Sequence, residues 1–307
     1  MDLAADNAVE AILRDELARE ARALAAVVPV LRHLLSSDAD ALVSDAILAR
    51  VRGMIHDLAA HLLAAEAGRD PVTRGSEFED PAALDQLAAR LMPDEALLGH
   101  CHALAAESLI AGRLQKRHAL DPVLSPLLQE LIASEDADVA SLAMGALAAQ
   151  SRFVQSQRRM ELPLGELPAE LFHALVAQVQ AWAPDSAALV RLQAGYDEAA
   201  TRIGLLARLV AAMRRGALAG LALDHAGLAL FASTLGVAAR VPREAAVLAC
   251  HEGQGLRLAF MLRAAGLMPS AIERQLLMVE PAGRLPRGLA EMSPEHAAAL
   301  VQGGGLR

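Results

Sequence analysis

Apolar residues recur at i, i+3, i+4 and i+7 from one end of the chain to the other, and no stretch of four or more residues alternates convincingly between apolar and polar. That spacing predicts an all-α protein. It places a first helix over about 7–35, bent or broken by Pro29, and a second over 39–67, capped by Ser37 or Asp38 and closed by Gly68. Helices follow over 81–91, 93–118, 122–133, 136–159, 169–182 and 186–215, then 217–223, 225–235, 242–252, 255–266, 269–279 and 294–302. The segment 121–150 reads as a helical hairpin in which Asp121 caps and Pro122 takes the first helical position.

Two polar or proline-rich breaks divide this run. They are GRDPVTRGSEFEDP at 68–81 and MELPLGELP at 160–168, and they suggest domains of 1–70, 71–160 and 161–307. Helix pairs without a strict internal period point to an irregular, HEAT-like helical-repeat array or a multi-helix bundle.

The composition reinforces this picture. The 307 residues are 54% hydrophobic and only 2% aromatic, dominated by the helix formers Ala and Leu. A net charge of −9 argues against nucleic acid or an anionic membrane as partner, because both are held by clustered cations. Cys101 and Cys250 match no disulfide or zinc spacing, and the acidic start MDLAADNAVEAILRDELARE lacks a secretory pattern, so a cytoplasmic location is expected. The apolar stretch 216–239 is interrupted by Asp224 and His225, which reads as two short buried helices, the second capped by Asp224, rather than a membrane span.

Candidate chemistry is sparse. The helix containing GMIHDLAAHLL, 53–63, turns Met54, Ile55, Leu58 and Leu62 inward and His56 toward solvent, while His61 is too far around the helix to share a metal with it. In GHCHAL, 99–104, His100 and His102 point apart, leaving Cys101 as a small buried residue. ACHEGQGLRL, 249–258, has neither HExxH spacing nor a strand before its glycines, and reads as a turn between helices. No phosphate-binding loop, nucleophile elbow or metal motif is present, so neither a cofactor nor a metal is expected. On the helix 136–159, Val139, Leu142, Ala146, Phe153 and Val154 share one side. Arg152, Gln155 and Arg159 share the other, and with Arg158 they form the most concentrated cationic face, suited to gripping an acidic partner protein.

Two resemblances attach to these residues. His56, Asp57 and Leu58 resemble the phosphoacceptor box of two-component histidine kinases, although Ala60, His61 and Leu62 depart from its proline-containing continuation. That resemblance implies an exposed nucleophilic imidazole at His56 with Asp57 orienting it, on a helical hairpin within a dimeric phosphotransfer protein whose partner is a response regulator or kinase. Residues 143–176 resemble a group of helix-only alphaproteobacterial proteins without an assigned activity, which implies fold and not chemistry. The leading expectation is a non-enzymatic interaction scaffold or regulator. Phosphotransfer through His56 is the alternative, and an enzyme with a pocket near His225 or His251 comes third.

Overall fold

The computed structural model describes residues 42–68, 81–181 and 186–303. Among them the chain is all-α, with no strand. Thirteen α-helices follow one another in these residues. They are α1 (Asp45–Glu66), α2 (Pro81–Leu91), α3 (Glu95–His118), α4 (Pro126–Ile132), α5 (Ala137–Arg158), α6 (Ala169–Gln180) and α7 (Ala187–Gly195). After these come α8 (Arg202–Met213), α9 (Leu223–Ala239), α10 (Arg243–Ala249), α11 (Gly255–Ala264), α12 (Pro269–Val279) and α13 (Pro294–Gly303). The expected helix over 7–35 with Pro29, the Ser37 or Asp38 cap, Trp182, Pro184 and nearly all of the polar run 68–81 lie outside the described residues. The described residues from Ala46 onward form one compact unit.

Helix boundaries differ from the sequence reading in several places. The helix expected over 39–67 starts at Asp45, and that expected over 217–223 is a 3-10 turn over Arg214–Leu221. Three further differences have a local reason. The hairpin's first helix starts at Ser125–Pro126, whose hydroxyl accepts Leu128 N at 3.3 Å, and not at Asp121–Pro122. A helix begun at Pro122 would need a backbone donor from residue 126, and proline has none. The carbonyl of Pro122 accepts Gln150 Nε2 at 2.8 Å instead, and Asp121 caps a turn through Val123 N and Leu124 N.

The expected single helix over 186–215 is broken between α7 and α8. Asp197 and Thr201 each accept from a backbone N–H two or three residues on, at Ala199 and Gly204, and so start new helical turns. In the stretch 216–239, Asp224 is exposed and caps nothing. The break falls at Gly227, with φ of +67°, a conformation only glycine adopts freely. Most of α9 is buried on every side, and no helix among the described residues is long and apolar enough to cross a membrane.

Two apolar clusters share α3 as a spine. Its first half supplies Leu97, Cys101 and Leu104 to a cluster with α1, α2, α6 and α7, centred on Met54, Leu58, Phe172 and Leu175. Its second half supplies Ile110 and Leu114 to a cluster with α4, α5 and α8 through α13, centred on Phe231 and Leu235. Phe172 stacks on Tyr196 with ring centres 4.0 Å apart, and Tyr196 donates its hydroxyl to Leu167 O at 2.7 Å.

Both cysteines sit in these clusters, and burial pushes each thiol up to about 12. Neither is therefore a thiolate at neutral pH. A soluble thiol reagent is expected to label neither Cys101 nor Cys250 in the folded protein at pH 7, and to label both after denaturation.

Candidate functional site

A helix must close the carbonyls of its last turn, and the way α5 does so builds the candidate site. After the capping residue Arg159, Met160 adopts a left-handed φ of +59°. Met160 N then donates to Gln157 O at 3.3 Å, and Glu161 N donates to Ser156 O at 2.9 Å. This is the closing pair of a Schellman motif, which commonly places glycine where Met160 stands. The glycine is across the interface. A Cβ on Gly53 of α1 would lie 2.5 Å from Met160 Cβ and 2.9 Å from Met160 O, so the bare backbone of Gly53 lets this turn press against α1.

One helical turn along, Asp57 Oδ2 accepts Leu162 N at 2.8 Å, and Gln157 Nε2 lies 3.2 Å from Met54 Sδ. Gly53, Asp57 and His61 recur at i, i+4 and i+8 on one face of α1, the face that holds the segment after α5.

This arrangement locates each residue of the histidine-containing stretch. Asp57 is turned to Leu162 and to His61, whose Nδ1 is 3.6 Å from Asp57 Oδ2. His56 points elsewhere. Its ring is 35% exposed and its Nδ1 lies 3.9 Å from Asp85 of α2. The structure thus brings His56 to Asp85 and Asp57 to His61.

Between α1, α3, α5, α7, α8 and the segment after α5 lies a cavity of about 550 Å³. Its apolar lining comes from Leu104, Phe153, Leu162, Leu164, Leu192 and Ile203. Three of the four residues expected to grip a partner, Arg152, Gln155 and Arg159, line it too. Arg158 is exposed on the same last turn of α5. Arg152 is 61% exposed, with its nearest carboxylate, Glu166, at 3.9 Å, and Arg159 Nε donates to Glu161 Oε2 at 3.1 Å.

Behind this lining lies a charge network that sequence reasoning missed. Arg202, 3% exposed, presents its guanidinium 3.7 Å from the centre of the Phe153 ring. It donates to both oxygens of Glu107, at 2.8 and 2.9 Å, and to Gln150 Oε1 at 3.0 Å. Arg243 grips the same carboxylate from the other side, at 2.8 and 2.6 Å. Burial pushes Glu107 up, but the two guanidiniums outweigh it and hold its carboxyl well below the usual carboxylate range. Arg202 N also donates to Glu166 Oε2 at 2.7 Å, tying the network to the segment after α5. One signal was available in the sequence: Glu107 falls on the α3 stripe of Ala103, Ile110 and Leu114, where a lone carboxylate requires a partner.

Ser156, His61 and Asp57 share the lining, but no hydrogen bond joins Ser156 to His61, so no activated hydroxyl is assembled. His225 pairs with Glu130 at 3.3 Å, and His251 Nδ1 meets Glu252 O at 2.7 Å; neither lines the cavity. His100 is buried, with Nδ1 3.5 Å from Glu244. Among the described residues no three metal-ligating side chains converge. Comparison of the chain with family models, with curated proteins and with solved structures finds no match.

Proposed function

We propose that this chain is a cytoplasmic, non-enzymatic interaction protein, a scaffold or regulator that holds an acidic segment of a partner protein against Arg152, Gln155, Arg158 and Arg159. The observation that supports this reading is the exposure of all four on the last turns of α5, with three of them at a cavity whose wall is fixed to α1. Planar guanidiniums with N–H groups to spare match carboxylates in pairs, and a fixed site loses little entropy on binding.

The test is a comparative capture from the source cell, with wild type and R152Q/R158Q/R159Q as baits and mass spectrometry as readout. The reading expects a defined partner with an acidic segment to be retained by wild type and lost from the variant. Equal recovery on both baits would remove it.

Phosphotransfer through His56 keeps one supporting observation, the accessible ring beside Asp85. Acid-labile label transferred from phosphorylated receivers and absent in His56→Ala would favour it over the scaffold.

A further inference from the structure

We infer that the cavity beside α5 is a binding site for a small amphiphilic carboxylate, an apolar chain or ring bearing one carboxyl group, held through Arg152 and Arg159, two of the residues proposed above to meet a protein partner. Its volume of about 550 Å³ lies within the range of small-ligand sites.

The lining divides by chemistry. Phe153, Leu162, Leu164, Leu192 and Ile203 offer an apolar body a surface, and each methylene buried there should tighten binding by about fourfold.

The charged groups decide the sign of the head. Every carboxylate in the lining is already engaged. Asp57 accepts Leu162 N and faces His61, Glu161 accepts Arg159 Nε, and Glu166 accepts Arg202 N. The guanidiniums, by contrast, have donors in excess. Arg159 uses only Nε on Glu161, and Arg152 stands 3.9 Å from Glu166, beyond hydrogen-bond distance. Behind them the buried Arg202 and its neighbour Arg243 share the carboxylate of Glu107, which leaves excess positive charge on that side of the cavity. Spare N–H donors beside an apolar lining donate to an oxygen-rich anionic head and repel an ammonium.

The wall is also held in place without a ligand. Gly53, Met54 and Asp57 fix residues 157–162 to α1, so binding does not have to order that segment.

The experiment is isothermal titration of the full chain with hexanoate, octanoate, decanoate and dodecanoate below their micelle-forming concentrations, with decanol and decylamine as head-group controls. The inference expects saturable one-to-one binding that strengthens with chain length, weakened about tenfold or more by exchanging carboxylate for alcohol, and absent for the amine. R152Q/R159Q, whose substitutions lie on exposed side chains, should weaken decanoate by about tenfold while leaving decanol unchanged. Ile203→Trp, which fills the lining, should weaken both, with an unchanged circular dichroism spectrum as the check on folding. No saturable binding of any acid, equal binding of acid and alcohol, or indifference to R152Q/R159Q would each overturn it. Tight binding of acidic peptides with none of the free acids would also overturn it, placing the partner itself in the cavity.

Discussion

Glu107→Gln is expected to destabilise the protein by about 3–5 kcal/mol, because it leaves the buried Arg202 and the largely buried Arg243 without their shared counter-charge. In a domain of this size that corresponds to a fall in Tm of roughly 10 °C. The magnitude comes from stranding two cations, not from an intrinsic strength of the ion pairs. Replacing the whole triad by apolar residues of similar volume should therefore cost far less than the single change. Differential scanning calorimetry of Glu107→Gln beside Glu107→Leu/Arg202→Met/Arg243→Leu separates the two explanations.

The effect also has a pH signature. Glu107 is held below its ordinary value of 4.5, so its contribution is complete above that pH and declines as pH falls toward the folded value. The gap between wild type and Glu107→Gln is thus widest at neutral pH and narrows below about pH 4.5.

Gly53→Ala is expected to cost about 1–3 kcal/mol, against the usual direction for such a change inside a helix. An alanine in place of a helical glycine ordinarily contributes roughly 0.5–1 kcal/mol of stability. At Gly53 the new methyl would sit 2.5 Å from Met160 Cβ and 2.9 Å from a backbone oxygen, and the turn after α5 must move away. Gly99 of α3 supplies the control, since a Cβ there meets nothing within 4 Å. Gly99→Ala should stabilise by roughly the ordinary amount. Thermal melts give the two signs, and amide exchange locates the damage. Leu162 N–H, held by Asp57, should be protected in wild type and exchange faster in Gly53→Ala.

How far this could be read from the sequence depends on the range of the interactions. Helix class and apolar faces are local properties. The stripe Met54, Ile55, Leu58 and Leu62 is buried, and Phe172, Leu175, Val176 and Val179 of α6 are buried as their spacing predicts. The outward direction of Arg152, Gln155 and Arg159 was equally legible from α5 alone.

Boundaries were harder, because two cap-and-proline signals stand four residues apart at Asp121 and Ser125. Only the donor missing from Pro126 decides between them. The break between α7 and α8 was hidden by a continuous Ala and Leu pattern running past Asp197 and Thr201. What the sequence could not show was pairing across the fold. Asp57 is 105 residues from Leu162, and Glu107 is 95 from Arg202. The tripeptide His56, Asp57 and Leu58 looks like one chemical unit on paper. The fold gives Asp57 to the cavity wall and His56 to α2, a division set by tertiary contacts.

The most direct test of the central proposal is a fluorescence-anisotropy titration of wild type and R152Q/R158Q/R159Q with peptides that pair glutamates with leucines, repeated across a range of salt. The account predicts saturable binding to wild type that weakens as salt rises, and at least tenfold weaker binding to the variant. Affinity that is the same for both proteins and insensitive to salt would contradict it.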